Sequence, residues 1–133
     1  MAQQPGLSEA EIEVLKVLWD LGPGTVRAVN GELARRGRRW AYTTVSTLLV
    51  RLASKGCVLS DSSVMPHVYR ASVSRDEMLS RRLEAAADEF CDGDAVPLVL
   101  ALVGKHRFKP GDLARFQDLL DAARQAEADG EQP

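Results

Sequence analysis

The spacing of apolar residues changes at Gly56, and that change limits the possible folds more than any other feature. Before Gly56, apolar side chains recur every three or four positions, as they do on one face of a helix. After it come two short runs, residues 57–60 and 67–70, that have the composition of strands and are separated by a turn-rich segment. The sequence therefore predicts helices followed by a two-stranded hairpin.

The region before the hairpin divides into three helices, because caps and stops interrupt it twice. Ser8 and Glu11 have the spacing of a capping box at the start of the first helix, and a Gly-Pro-Gly segment ends that helix. Thr25 can cap the second helix, and the third is predicted over residues 41–54, before a Lys-Gly stop. Three helices and a hairpin follow each other in this order in a winged helix-turn-helix domain, which we place at residues 1–73.

Helical spacing returns after the hairpin, over residues 74–127. Ser74 begins a second capping-box pattern, and Pro110 is suited to the first turn of the last helix. Between them, residues 95–103 are apolar nearly all round, so a helix there needs cover on every side. The fold class predicted is mainly α with a small β-hairpin: a winged-helix domain, a C-terminal helical domain and a disordered tail at residues 128–133.

The charges are distributed unevenly between these two regions. Residues 1–72 carry nine basic and six acidic side chains, whereas residues 73–133 carry eight basic and thirteen acidic ones. Seven of the basic residues lie between Arg27 and Lys55, where Glu32 is the single acidic residue. A basic block beside an acidic half is typical of a polyanion-binding part joined to a part with another role. An arginine-rich solvated surface is the alternative that charge alone leaves open.

Several other classes of protein are disfavoured by the sequence. No apolar run approaches the roughly 20 residues needed to span a bilayer, and the first residues lack the basic and apolar regions of a signal peptide. The two cysteines, Cys57 and Cys91, are too few for a disulfide scaffold or a zinc site. The two histidines, His67 and His106, have no acid or nucleophile at a telling spacing. We therefore expect a cytoplasmic protein that is not an enzyme and needs no cofactor or metal.

The third predicted helix has an unusual composition. Its inward face carries Val45, Leu48 and Leu52, with Thr44 and Leu49 beside them. Its opposite face carries Tyr42, Thr43, Ser46, Thr47, Val50 and Ser54. That face lacks the Glu and Lys residues that usually cover a solvated helix, and small hydroxyl residues permit close approach to a DNA groove, where they can bond phosphates or base edges. The alternative is that Thr43 and Thr44 only help to start the helix.

Three stretches of the chain resemble the BlaI/MecI family of bacterial repressors, which includes the CopY-type copper regulators as a branch. They read LSEAEIEVLKVLWDLGPGTVRAVNGEL, WAYTTVSTLLVRLASKG and HVYRASVSRDE, and the resemblance runs from about Leu7 to Ala123. The middle stretch is the most specific, and its AYTTV segment looks most like actinobacterial members. Trp19 and Tyr69 also match the family, and we expect both in the core.

The resemblance implies a cytoplasmic homodimer that binds a double-stranded DNA operator with inverted half-sites. It implies a repressor whose N-terminal winged-helix domain reads the operator while the C-terminal helices pair two chains. Together with the helical wheel, it assigns base readout to Tyr42, Thr43, Thr44, Ser46 and Thr47. Phosphate and wing contacts are assigned to Arg27, Arg38, Arg39, Arg51, Lys55, His67 and Arg70. Dimerisation is assigned to Leu79, Leu83, Phe90, Leu98, Leu100, Leu102, Leu113, Phe116 and Leu120.

The chain departs from the family at two places that concern induction. The copper branch ends in a paired Cys-x-Cys motif, and no such pair follows Cys91 here. The β-lactam branch is cleaved at an Asn-Phe bond in the fifth helix, and the matching positions here are Ala101 and Leu102. Neither inducing signal is therefore expected to act through the family's usual residues.

Two other hypotheses remain open from the sequence. A winged-helix domain can be an adaptor that binds protein instead of DNA, although the basic block and the hydroxyl-rich face argue against it. A thiol-responsive regulator is the other, because Cys57 begins the hairpin and Cys91 ends the fourth helix. No basic residue directly flanks either thiol to lower its pKa, and buried structural cysteine is more common.

Overall fold

The computed structural model describes residues 6–130, which form six helices and a two-stranded antiparallel hairpin. The elements in chain order are α1 (Glu9–Leu21), α2 (Val26–Arg35), α3 (Tyr42–Ser54), β1 (Val58–Asp61), β2 (Val68–Ala71), α4 (Arg75–Cys91), α5 (Val96–Lys105) and α6 (Pro110–Ala128). The predicted fold class, mainly α with a small hairpin, is confirmed. The predictions made for the first five residues and for residues 131–133 lie outside the described part, and α6 continues to Ala128.

The chain divides into two compact units, Met1–Ala85 and Ala86–Pro133, so the division falls inside α4. The first part of α4 packs within the first unit, where Met78 is buried in the core. Arg75 lies over the ring of Trp19, and the Trp19 indole N–H donates to the carbonyl of Val73 at 2.8 Å. These contacts continue the first unit beyond residue 73, and the predicted domain boundary at 73/74 stays a prediction.

The caps predicted for the first two helices are confirmed. The Ser8 hydroxyl accepts a hydrogen bond from the Glu11 N–H at 3.1 Å, and the Glu11 carboxylate accepts one from the Ser8 N–H at 2.7 Å. Thr25 caps α2 in the same way, because its hydroxyl accepts from the Ala28 N–H at 3.1 Å. Each cap satisfies amide groups that a helix leaves unpaired at its first turn.

The core of the first unit forms where the apolar faces of α1, α2 and α3 meet the hairpin. Trp19 packs against this core and Tyr69 is buried in it, as expected. The core side chains from the three helices are Val14, Leu15, Val17, Leu18, Val26, Val29, Leu33, Val45, Leu48, Leu49 and Leu52.

The hairpin begins one residue later than predicted. Cys57 does not belong to β1, because its N–H donates to the Leu52 carbonyl at 2.9 Å and so completes the turn that ends α3. Gly56 allows that turn because its φ is +78°, a conformation that other residues rarely adopt. Tyr69 of β2 also pairs with Gly24, through backbone hydrogen bonds of 2.9 and 2.8 Å in both directions, a contact that no local sequence pattern indicates.

The helices of the second unit keep much of their apolar surface exposed. In the part of the chain that the structure describes, neither α5 nor α6 contains a buried residue. Phe108 does pack edge-on against Phe116, with ring centroids 4.9 Å apart. None of the helices within residues 6–130 has the length and apolar content needed to cross a membrane.

Candidate nucleic-acid interface

The candidate interface is built on α3, whose orientation is fixed by its apolar face. Val45, Leu48, Leu49 and Leu52 are buried, so the side chains between them must point outward. The residue before the helix is Ala41, whose extended backbone starts α3 without a side-chain cap. Neither Thr43 nor Thr44 is therefore the N-cap of α3, and neither hydroxyl caps the helix.

The outward face of α3 carries the hydroxyl residues that the sequence predicted there. Thr43, Thr44 and Thr47 are exposed, Tyr42 is just over half exposed, and Ser46 is half-buried. Thr44 differs from the prediction, which placed it beside the inward face. It lies about 90° round the helix from the centre of the buried stripe, far enough to reach solvent.

Three of these threonines share a concavity with an arginine. Thr43, Thr44, Thr47 and Arg51 line it together with the edge of Leu48, and its volume is about 260 Å³. Threonine hydroxyls can donate or accept, their methyl groups offer apolar contact, and the guanidinium presents a fixed fork of donors. Tyr42 and Ser46 are not among the residues that line this concavity.

Several predicted phosphate contacts are exposed cations. Arg27 lies on α2, Arg39 precedes α3 and Arg51 lies on α3, and none of them forms an ion pair with another residue between 6 and 130. By contrast, Arg36 at the end of α2 is held by Asp20 and Glu32, both at 3.0 Å. The basic block thus contains both structural and uncommitted arginines.

Lys55 lies at the end of α3, as predicted, but it is bound within the domain. Its ammonium group donates to Glu11 Oε1 at 2.7 Å and to the Gly6 carbonyl at 2.8 Å, and its side chain is 28% exposed. Two of its three N–H groups are thus used inside the domain, and the phosphate contact expected of Lys55 stays a prediction. Arg38 is less committed, with carboxylates of Glu9 and Glu13 at 3.9 and 3.8 Å.

Glu11 is the residue whose role the sequence reasoning missed. The sequence predicts it only as part of the cap of α1, yet it is 2% exposed and also binds Lys55. Burial opposes its ionisation, but the hydrogen bonds from Lys55 and Ser8 outweigh that effect, so the pKa of Glu11 is lowered. A signal was present in the sequence, since Glu11 precedes Leu15 and Leu18 at the spacing of the inward stripe.

A second missed contact fixes the start of α3. The side-chain amide of Asn30, on α2, donates to the carbonyl of Trp40 at 3.1 Å. Trp40 itself packs against the core. The segment that carries Arg39 into α3 is therefore tied to α2.

The hairpin presents the two predicted wing residues at its surface. Arg70 is exposed on β2, opposite Leu59 of β1, and His67 is exposed just before β2 begins. At the other end of the loop, Ser63 donates to the Asp61 carboxylate through both its N–H, at 3.0 Å, and its hydroxyl, at 2.5 Å. The wing thus has a turn closed by side-chain bonds and one exposed arginine.

Cys91 ends α4 as predicted, whereas Cys57 precedes β1 and is buried beside Lys55. Burial, with a smaller contribution from the Glu11 carboxylate, raises the pKa of the Cys57 thiol. Because the thiolate is the reactive form, this environment argues against a thiol-responsive regulator that uses Cys57. No cluster of three potential metal ligands occurs among the residues that the structure describes.

Comparison with known proteins agrees with the sequence resemblance. A family model described as penicillinase repressor matches residues 7–122. The penicillinase repressor of Bacillus licheniformis is 23% identical over 121 residues, which cover 91% of this chain and 94% of that protein. The transcriptional regulator BlaI of Mycobacterium tuberculosis is 41% identical over 81 residues, 60% of this chain and 58% of the regulator.

Two solved structures are also similar to part of this chain. One is a solution structure of the DNA-binding domain of the repressor BlaI, and the other is the monomeric form of Bacillus licheniformis BlaI in complex with the blaP half-operator. Both are 30% identical and match 58% of this chain and 93% of theirs, with TM-scores of 0.49 and 0.48. Since the family model spans most of the sequence, the chain belongs to the penicillinase repressor family.

Proposed function

We propose that this protein is a homodimeric, sequence-specific DNA-binding transcriptional repressor that reads an inverted-repeat operator by placing α3 in the major groove. The observation that carries the proposal is the exposed face of α3, where three threonines and Arg51 share one concavity. Two relatives favour the same class of function: one is named a penicillinase repressor and matches nearly the whole chain, and the other is named a transcriptional regulator.

Base readout is proposed for the hydroxyl face. A helix that enters the major groove brings its exposed side chains within reach of base edges, and Ser and Thr can bond to several of them. Thr43, Thr44 and Thr47 are exposed and line the concavity, so we place them at the centre of the readout. Tyr42 and Ser46 lie outside the concavity and would read the margins of the site.

Phosphate contacts are proposed for cations that the fold leaves uncommitted. These contacts supply affinity and set the register of the protein on the duplex, but carry no sequence information themselves. We propose Arg51, Arg39 and Arg27 for this role. Arg38 would be a further contact if a phosphate replaced the carboxylates of its two long ion pairs. Arg70 and His67 of the wing would reach the flanking backbone or minor groove.

Dimerisation is proposed for the apolar surface of the C-terminal helices. Phe90 and Leu100 are 77% and 67% exposed, and large apolar side chains exposed in such numbers favour an interface. A two-fold dimer places two copies of α3 on two half-sites, which an inverted-repeat operator matches. The residues proposed for this surface are Leu79, Leu83, Phe90, Leu98, Leu100, Leu102, Leu113, Phe116 and Leu120.

A repressor of bacterial genes works on DNA in the cytoplasm and needs no catalytic group, so we propose a cytoplasmic, non-enzymatic protein. Ala101 and Leu102, which match the family's cleavage position, lie within α5 and lack the Asn-Phe pair. We therefore propose that induction does not use cleavage at that bond.

Selection of bound sequences from a library of random duplexes tests the proposal directly. The purified protein should enrich an inverted repeat, bind it far more tightly than random DNA, and lose affinity steeply as salt rises. Sedimentation of the free protein should give the mass of a dimer.

Two results would contradict parts of this proposal. Absence of any enriched sequence, with no salt-sensitive complex, would favour a protein-binding adaptor. Enrichment of single, unpaired half-sites by a monomer would retain DNA reading but refute the dimeric arrangement.

A further inference from the structure

The ion pair between Glu11 and Lys55 joins the start of α1 to the end of α3, and its carboxylate is the most buried of those in the ion pairs within residues 6–130. Glu11 is 2% exposed, and its Oε1 atom lies 2.7 Å from the Lys55 ammonium nitrogen. Paired charges in such a place do little for stability compared with apolar packing, but a buried pair can fix one arrangement of two elements.

We propose that Glu11 and Lys55 form a positioning clamp that holds the C-terminal end of α3, and the wing that follows it, in the orientation that binds an operator. The proposal rests on the DNA-binding function proposed above and deepens it. Lys55 would act through α3 and would not contact phosphate itself.

The hydrogen bonds of the ammonium group support an internal role. Lys55 donates to the Glu11 carboxylate and also to the Gly6 carbonyl, at 2.7 and 2.8 Å. An ammonium group has three donors, so a phosphate could take the remaining one alone unless the clamp opened. Opening would leave the Glu11 carboxylate buried without its cation, which is costly.

The position of Lys55 links the clamp to the wing. Lys55 is the C-cap of α3, and its N–H donates to the Arg51 carbonyl at 3.0 Å. Two residues later, the Cys57 carbonyl accepts from the Ser72 N–H at 2.9 Å, beside the end of β2. A displacement of Lys55 would therefore move both the last turn of α3 and the base of the hairpin.

Glu11 makes the clamp selective for one arrangement. Its Oε1 atom accepts from both Lys55 and the Ser8 N–H, while Oε2 is buried and has no hydrogen-bond partner in the described chain. A buried carboxylate is tolerated only where it is paired. The arrangement with Lys55 against α1 is thus favoured over alternatives in which α3 has slipped or tilted.

The test measures binding to the duplex that the wild-type protein selects from a random library. Glu11→Gln and Lys55→Met should each weaken that binding about threefold to thirtyfold, the range expected for residues that act without touching the ligand. The double variant should bind the duplex no more weakly than the single variant with the lower affinity, because both substitutions break the same contact. The salt dependence of binding should keep its slope.

Arg51→Met is the matched control, because Arg51 is on the same helix and is proposed to contact phosphate. It should reduce the salt slope by about one unit, which the clamp variants should not do. The direction of the change in affinity is informative for Glu11→Gln, since removing a negative charge ordinarily strengthens binding to DNA. A weaker complex in that variant therefore cannot come from charge alone.

Folding must be separated from positioning. Binding is therefore compared at a temperature at which denaturant titration shows each variant to be folded. If Glu11→Gln or Lys55→Met does not fold, Glu11→Asp replaces it, because it keeps the negative charge but shortens the side chain that reaches Lys55. Hydrogen exchange of the Cys57 and Ser72 amides should accelerate in Glu11→Gln and Glu11→Asp, but not in Arg51→Met.

The clamp would be refuted if the Glu11 variants kept both operator affinity and slow exchange, or if Lys55→Met lowered the salt slope by one unit. A wild-type protein that selects no duplex would instead refute the proposed function. The exchange measurements would then still decide whether this pair holds the end of α3 and the wing.

Discussion

Individual side chains on α3 differ in what they can do with DNA. Thr47 is exposed beside Arg51 in the concavity, and a hydroxyl can distinguish base edges where a guanidinium on the backbone cannot. Lys55 is at the end of the same helix but is bound to Glu11. The proposed roles of neighbouring residues on one helix thus differ: Thr47 is a reader, Arg51 a phosphate contact and Lys55 a positioning residue.

Replacing Thr47 with alanine should weaken binding to the selected operator more than binding to random DNA. We expect a loss of about 1 kcal/mol, roughly fivefold, because one side-chain contact to a base edge is removed. Competition binding against both duplexes measures the difference. Ser80→Ala, which removes an exposed hydroxyl from α4, serves as the control, and an equal loss on both duplexes would remove Thr47 from base readout.

Replacing Arg51 with alanine should weaken binding to the operator and to random DNA alike, unlike the change at Thr47. Because a phosphate contact is independent of sequence, affinity should fall by a similar factor on operator and random DNA. The slope of log affinity against log salt should become shallower by about one unit. An unchanged slope over a salt titration would show that Arg51 does not neutralise a phosphate.

Single elements are held in place by polar contacts at their ends as well as by apolar packing. α1 begins at a capping box whose carboxylate also binds the end of α3, and α3 begins after a backbone carbonyl bound by Asn30. Polar groups buried at such junctions are costly when unpaired, so each contact favours one orientation of the helix. The position of α3 is therefore defined at both ends.

Acid should weaken the fold through Glu11. Its pKa is lowered in the folded state, so the ionised carboxylate stabilises the fold above about pH 4.5, and that contribution is lost as pH falls through the folded-state pKa. At neutral pH, Glu11→Gln should reduce the free energy of unfolding by about 1–3 kcal/mol. Denaturant titrations of both proteins measure the difference, which should shrink below pH 4.5.

The pKa values of Asp20 and Asp61 are also lowered, through hydrogen bonds with arginines and with Ser63 respectively. The wild-type protein and the Glu11→Gln variant will therefore both lose stability in acid, and the comparison must use the difference between their free energies of unfolding. A difference that stayed constant from neutral to acidic pH would mean that the pKa of Glu11 is the same in the folded and the unfolded protein.

The whole molecule consists of two units with different surfaces. The first unit buries its apolar residues in a core shared by three helices and a hairpin, whereas α5 and α6 have no buried residue in the described chain. Apolar surface left exposed by one chain is consistent with pairing to a second chain, because association removes it from water.

Replacing Leu100 with glutamate should separate the proposed dimer without unfolding the first unit. Leu100 is 67% exposed in the chain, so a charge there costs little in a monomer but would be buried unpaired in the dimer interface. Sedimentation should report a monomer, and affinity for the inverted repeat should fall towards that for a half-site. Ser80→Glu, an exposed change in α4, should leave the mass unchanged. A Leu100→Glu protein that remained dimeric would exclude this part of α5 from the interface.

The sequence by itself determined the elements, their order and the exposed composition of α3. Capping residues, glycine stops and apolar spacing act within a few residues of each other. The caps at Ser8 and Thr25 and the buried stripe from Val45 to Leu52 could therefore be predicted without knowledge of the tertiary structure. The hydroxyl face followed from the same periodicity. Thr44 was displaced, and both hairpin strands begin one residue later than predicted, since exposure and strand pairing depend on how neighbouring elements meet.

The tertiary structure decided which charged residues are free. Glu11 and Lys55 are 44 positions apart, and Asn30 and Trp40 are 10 apart, so no local pattern could pair them. A lysine in a basic block has the same sequence signature whether it faces solvent or a buried carboxylate. Burial, which depends on the packing of all three helices, therefore separates Arg51, an uncommitted cation, from Lys55, which the fold holds inside.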